Sequence, residues 1–410
     1  MSTTFTAMFA AIQDVGRNRH TGGYRRFVWT DADHALRDWF AGEAARRGLD
    51  LHVDRNGNQW AWWGDPTVGD ALVLGSHLDS VPEGGAYDGP LGVLSAFAAL
   101  DAVRQQGLTP GRPVAVVNFV DEEGARFGIA CAGSRLLTGS LDPDTARALR
   151  DHDGDTMADV LRKAGRAPDD LGRDDEVLRT VGTFVELHVE QGRDLVHRER
   201  AVGVGSQIWP HGRYRFDFTG EANHAGTTAM ADRRDPMLTY AVTALAANEA
   251  TRGPDARGTA ARATFGRLEV TPNGTNAVPS HVTAWLDARA ADDVTLRQVV
   301  ESVREQATAA AAGDRTDVTM TAESESPATT FDPGLAQRIA ARLGDAPVIP
   351  TGAGHDAGVL ALAGVPTAML FVRNPTGVSH SPAEYAEPDD CLAGVDALTT
   401  VVRDLAGGEA

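Results

Sequence analysis

The chain has 410 residues, 42% hydrophobic and 23% charged, with a formal net charge of −19 at pH 7. That length is too great for one ordinary core, so two domains are expected. A chain this acidic is repelled by nucleic acid and by anionic membranes, which excludes both as natural partners.

Its two cysteines, Cys131 and Cys391, are too few for a disulfide framework and fit a reducing compartment. The first thirty residues include Asp14, Arg17, Arg19, Arg25 and Arg26 without a continuous apolar stretch, which is not a secretory signal. No apolar run is long enough to cross a bilayer, and a cytoplasmic protein is expected.

In chain order, residues 5–15 and 31–47 have helical spacing. Residues 50–53 and 59–63 read as strands around the Asn56-Gly57 turn signal. Residues 71–74 form a buried-strand pattern, 91–104 a helix apolar on one side, and 113–120 a second buried strand. Residues 141–178, rich in Asp and Arg and broken by Gly and Pro, predict short surface helices, and 183–187 returns to the sheet. Such alternation predicts an α/β metal-binding domain with a mostly parallel central sheet flanked by helices.

The pattern changes near residue 207. Residues 214–219 alternate as a strand, and 235–251 form a helix with Pro236 in its first turn. Strands follow at 261–270 and 281–290, then an amphipathic helix at 294–312 and a strand at 317–322. That order, β-α-β-β-α-β, is the ferredoxin-like split unit. The expected division is a catalytic domain of residues 1–206 and 327–410, interrupted by an inserted α+β domain of residues 207–326. The remaining elements of the first domain are a helix at 333–343, strands near 347–349 and 367–372, and a final helix at 391–405.

Five motifs carry candidate chemistry. In GSHLDS, His77 and Asp79 stand two apart after a strand and point the same way. They are either a metal ligand with its orienting carboxylate or a hydrogen-bonded pair at a strand end. Asp88 in AYDGPLG occupies a turn before an apolar helix, where aspartate commonly serves the turn itself. Asp121, Glu122 and Glu123 follow an apolar strand; they form a solvated loop or repel one another until a cation compensates. His188 in VELHVEQG and His380 in GVSHSPAEY also follow strands. Most of the twelve histidines lack any partner pattern. Taken together, His77, Asp88, Glu123, His188 and His380 are nitrogen and oxygen donors without cysteine, which suits a catalytic zinc- or manganese-type site. Five exceed the protein ligands of one catalytic zinc and suit two metals sharing a carboxylate.

The stretches GSHLDSVPEGGAYDGPLGV, DEEGARFG, ELHVEQG, ANHAGTTAM, GAGHDA and GVSHSPAE span nearly the whole chain. As a set they resemble the di-metal aminoacylase/carboxypeptidase superfamily, in its branch of N-carbamoyl-L-amino-acid hydrolases, β-ureidopropionases and allantoate amidohydrolases. The resemblance implies that Asp88 bridges two divalent ions, zinc or manganese, with cobalt or nickel acceptable. His77 and His188 complete one site, Glu123 and His380 the other. Peptidase relatives tend to carry a carboxylate where this chain has His188. Glu122 is implied as general base toward a water held between the cations, with Asp79 and Asp356 as supporting carboxylates.

The same resemblance makes the inserted domain a lid and dimerisation domain. His224 then stabilises the oxyanion from the partner of a homodimer. Asn276 and Arg289 bind the carboxylate of a small substrate, with Gln191 and His355 as further polar contacts. From the sequence alone, Arg289 equally fits an ion pair with Asp287. Ala229, Gly358, Arg373 and Asn374 depart from the family pattern and bear on the substrate. The expected activity is hydrolysis of an amide or ureido C–N bond in allantoate or an N-carbamoyl-L-amino acid. The alternatives are an N-formyl, N-formimidoyl or other N-acyl substrate, a metallo-dipeptidase, and a non-catalytic binding protein lacking a ligand or the base.

Overall fold

Strands Ala71–His77 and Val114–Phe119 are buried at every residue, as befits parallel strands covered on both faces. The structure, a computed structural model, describes residues 2–252 and 261–407. These residues divide into two units, one running to Gln207 and resuming at Thr330, the other Ile208–Thr329.

The first unit is built on a nine-stranded sheet. Four parallel strands lie side by side at its centre: Val114–Phe119, Ala71–His77, Val181–Val189 and Thr367–Val372. The edges are antiparallel. Gln59–Trp63 and then Asp50–Val53 extend one side, and Val202–Ile208 lies against Thr367–Val372 on the other. Helix Pro90–Gln105 lies against this sheet with most of its residues buried, and helix Pro388–Ala406 packs beside it. At Gly92 an added Cβ would stand 2.2 Å from Leu187 O, so glycine sets how closely that helix approaches the sheet. The short helices of the Asp-rich stretch are Pro143–Ala148, Met157–Lys163 and Asp175–Leu178. Both cysteines are buried and free.

Among the elements that carried no clear sequence signal are strand Val202–Ile208 and helices Ala132–Thr138 and Asp356–Leu362. The two helices are seven residues each, too short to show a helical period.

The second unit has one four-stranded antiparallel sheet, ordered Asp317–Ser326, His211–Thr219, His281–Ala290, Ala261–Thr271. Burial alternates along His281–Ala290. Val282, Ala284 and Leu286 face the helices Pro236–Ala250 and Asp293–Asp314, while Trp285, Asp287 and Arg289 face away.

In the first unit the chain turns sharply between Asp88 and helix Pro90–Gln105. Gly89 sits there at φ +83°, and a Cβ would lie 2.4 Å from the His77 ring. Gly89→Ala is expected to destabilise the chain by about 2–4 kcal/mol, combining left-handed strain with overpacking. Thermal unfolding measures this; an unchanged melting temperature would mean that the turn yields without cost.

Candidate metal centre

The C-terminal ends of the four parallel strands converge on one polar cluster in the first unit, where open α/β sheets place their sites. His77 closes its strand and His188 lies one residue from the end of Val181–Val189. Glu122 and Glu123 follow Val114–Phe119, and His380 follows Thr367–Val372.

Two groups of candidate metal ligands share one residue. His77, Asp88 and His188 form the first; Asp88, Glu123 and His380 form the second. Asp88 Oδ1 lies 3.0 Å from His188 Nε2 and 3.7 Å from His77 Nε2. Its other oxygen, Oδ2, is 3.4 Å from His380 Nε2, which is 3.7 Å from Glu123 Oε2. All five expected metal ligands are therefore together.

The histidine orientations suit this use. His77 Nδ1 lies 3.2 Å from Asp79 O, and His188 Nδ1 lies 3.1 Å from Val189 O. A carbonyl only accepts, so Nδ1 carries the hydrogen in each ring and Nε2 is left to bind a metal. His77 Nε2 and Glu123 Oε1 are buried without a hydrogen-bond partner, and buried His188 Nε2 meets only Asp88 Oδ1, at 3.0 Å. Buried polar atoms are rarely orphaned, and a divalent cation bound by N and O donors satisfies all three.

Asp79 ties the cluster together. Its oxygens accept the backbone N–H of Glu122 at 3.2 Å and of Glu123 at 3.0 Å, and Oδ1 lies 3.4 Å from His77 Nδ1. Glu122 is buried, with Oε2 3.6 Å from His77 Nε2 and Oε1 accepting a weak hydrogen bond from the Cys131 thiol at 3.4 Å. Asp121 belongs to neither ligand group and is buried with both oxygens unpaired, its backbone at φ +53°.

The electrostatics follow from so many acids in a dry place. Burial pushes Glu122 and Asp121 well above the carboxylate range, with neighbouring carboxylates adding to it. Burial also pushes Glu123 up to about 8, Asp88 and Asp79 contributing. For Asp88 burial acts the same way, but His188, His77 and His380 outweigh it and hold its pKa below the usual range. Burial opposes charge on His77, yet Glu122 and Asp79 overcome it and raise its pKa well above normal. Without a cation, the cluster keeps protons in place of metal.

The other expected residues divide between the units. Gln191 Nε2 donates to Asp88 Oδ2 at 2.9 Å and to Ser379 Oγ at 3.2 Å, while its Oε1 is buried and unpaired. The His355 ring is 4.4 Å from that of His188; burial, with His188 beside it, keeps it neutral. Asp356 accepts from Ser134 Oγ at 2.5 Å. Sequence reasoning missed Glu186, which accepts from Ser76 Oγ at 2.7 Å and Ala357 N at 3.0 Å and forms a third group with His188 and His355. It lies in ELHVEQG, where the alternation that singled out His188 also passes through residue 186.

In the second unit, His224 pairs with Ala277 across a two-residue ladder, and Ala225 N donates to Asn276 O. Arg289 lies toward the opposite end of its strand, eight residues beyond His281, or about 25 Å. One copy of this unit thus carries Arg289 and Asn276 toward opposite ends of its sheet. Arg289 makes two hydrogen bonds to Asp287, at 2.8 and 3.1 Å. Arg373 likewise pairs with Asp390, and buried Asn374 accepts from Thr376 N and Gly377 N.

The sequence pattern of peptidase family M20/M25/M40 matches residues 73–404. An N-carbamoyl-L-amino acid amidohydrolase of Geobacillus stearothermophilus is 36% identical over 404 residues, covering 97% of this chain and 96% of its own. An allantoate amidohydrolase of Escherichia coli strain K12 is 32% identical over 399 residues, covering 94% and 93%. A solved hydantoinase/carbamoylase family amidase from Burkholderia ambifaria aligns at TM-score 0.85 and 32% identity, over 100% of this chain and 98% of that one.

The proton on Glu123 makes the centre sensitive to pH. The unfolded chain releases it near 4.5 and the folded metal-free chain near 8, so this group lowers stability as pH rises through that window. Cation binding displaces the proton, so manganese affinity is expected to rise up to about pH 8 with protons released. Calorimetry of the metal-free chain in buffers of different ionisation enthalpy measures this; constant affinity with no proton release would refute it.

Proposed function

The chain belongs to peptidase family M20/M25/M40, and from that membership we propose that it is a metal-dependent amidohydrolase acting on allantoate or an N-carbamoyl-L-amino acid. The bond cut is an amide or ureido C–N bond other than a peptide bond, in keeping with what the two relatives are named for. One observation carries the proposal: Asp88 belongs to two ligand groups at once, the arrangement that a carboxylate-bridged pair of ions needs.

In this assignment His77, His188 and Asp88 hold one divalent ion, and Asp88, Glu123 and His380 the other. Zinc or manganese suits these donors, cobalt and nickel being compatible. Such ions, when bound, polarise a carbonyl oxygen and bring the pKa of water toward neutrality. Glu122 takes the proton of the attacking water and delivers it to the leaving nitrogen. Its burial, which raises its pKa above the ordinary carboxylate value, favours holding a proton long enough to return it. Asp79 holds the backbone of the acid pair in place, and the buried Gln191 Oε1 is a spare acceptor for a substrate N–H. His355 is a second polar contact, and Asp356 supports the site through Ser134.

Residues 208–329 are assigned as an inserted ferredoxin-like domain that carries further substrate contacts and the dimer interface. Arg289 and the segment that holds His224 and Asn276 lie toward opposite ends of its sheet, so the assignment takes His224 and Asn276 from a second copy of the chain. Helix Pro236–Ala250 supports that copy. Leu238, Val242 and Leu245 form an exposed stripe on it, Leu245 at 68% exposure.

The manganese-loaded protein is expected to release ammonia from allantoate or an N-carbamoyl-L-amino acid, to lose activity on chelation, and to regain it with Mn²⁺, Co²⁺ or Zn²⁺. Glu122→Gln should lower kcat by about 10²–10⁴-fold at unchanged metal content. Activity surviving both treatments, or turnover confined to dipeptides or N-formylglutamate in parallel assays, would defeat the proposal. Leu245→Asp is expected to halve the mass seen by sedimentation; an unchanged mass would place the contact elsewhere.

A further inference from the structure

We infer that Glu384 is a positioning residue that presents Asp88 to both ions, by fastening the loop that carries Asp88 to the loop that carries His380. The inference rests on the proposed role of Asp88. Glu384 is 5% exposed and belongs to none of the ligand groups among the described residues. Its two oxygens serve different loops. Oε1 accepts the backbone N–H of Tyr87 and of Asp88, each at 3.0 Å. Oε2 accepts the Ser379 hydroxyl at 3.0 Å, and that hydroxyl lies 3.3 Å from Asp88 Oδ2. One buried carboxylate thus joins segments 296 residues apart in the chain.

The fit around Glu384 is close. A Cβ on Gly85 would stand 2.3 Å from Glu384 Oε1 and 2.5 Å from its Cβ, so the Asp88 loop wraps onto this side chain where only glycine permits. Backbone amides that donate to a buried carboxyl oxygen have no water to replace it, so losing the acceptor leaves them unpaired. Two such hydrogen bonds on adjacent residues fix the peptide that orients the Asp88 side chain. A carboxylate that must face two ions at once tolerates little rotation, and its loop contains Gly84, Gly85 and Gly89, which are costly to order.

The test compares Glu384→Ala and Glu384→Gln with the wild type. It measures Mn²⁺ affinity by calorimetry on metal-free protein, together with melting temperature, kcat and KM. Glu384→Ala is expected to weaken Mn²⁺ binding by about 10–100-fold and to lower kcat at saturating metal, with KM nearly unchanged. In Glu384→Gln the amide oxygen still accepts both N–H groups and the amide nitrogen can donate to Ser379, so most of the affinity should return. Wild-type affinity in Glu384→Ala, or a Glu384→Gln as weak as Glu384→Ala, would overturn the inference. Should Glu384→Ala fail to fold, Ser379→Ala removes the hydroxyl that holds Glu384 Oε2 and touches Asp88 Oδ2 and is expected to weaken binding, an unchanged affinity there counting against the inference. A wild type that takes up no manganese would defeat the proposed function instead, a result separate from any difference among the variants.

Discussion

A crowd of carboxylates held out of water must be neutralised, and the rest of this structure is arranged around that requirement. Asp79, Asp88, Asp121 and Glu122 are buried at one end of the central sheet, and the Glu123 side chain nearly so. Like charges this close in a dry environment cannot all ionise. The metal-free chain meets the difficulty with protons, some on carboxyls and some on histidines; the proposed divalent cations would meet it with charge fixed in place. Glu122 and Glu123 are neighbours in sequence yet face different surroundings. Only Glu123 joins a ligand group, while Glu122 lies against His77 and the Cys131 thiol. Environment rather than residue type therefore separates the proposed base from the proposed ligand.

The scaffold contributes stiffness in particular places. Asp79 holds the backbone of the acid pair from one side. The turn at Gly89 passes so close to the His77 ring that no side chain fits there. Gly92 lets the following helix settle against the strand that bears His188. Asp121 and His380 both adopt left-handed backbone, at φ +53°, a conformation that non-glycine residues hold only when their surroundings enforce it. Loops and strand ends thus acquire the rigidity that the proposed two-ion site would demand.

Much of this was legible in the amino-acid order because the signals are local. Fully apolar runs such as 114–119 announce buried strands, and His-x-Asp or consecutive acids directly after such runs announce a strand-end site. What escaped notice depends on distant partners. Strand Val202–Ile208 contains Gly203 and Gly205, which weaken its strand signature; at Gly205 a Cβ would meet Met369 Cβ at 2.9 Å, a contact invisible until the sheet is assembled. Asp121 reads as the solvated first acid of a run, yet it is buried. Glu384 carries no motif signal of its own, and its partners Tyr87 and Asp88 lie far away in the chain. The placement of Arg289 away from Asn276 follows from strand length and register, which motifs do not encode.

The two ligand groups differ in their access to solvent. The His77 side chain is 0% exposed and that of His188 1%, whereas the His380 side chain is 51% exposed. An ion on the His77–His188 side is enclosed on nearly every flank, while one on the His380 side sits at the rim. If each group holds an ion, as proposed, exchange with the medium runs at two speeds, the rim ion leaving first and the enclosed ion persisting. Partial depletion would yield half-loaded molecules, and refilling with a second element would produce heterobinuclear centres in a defined order.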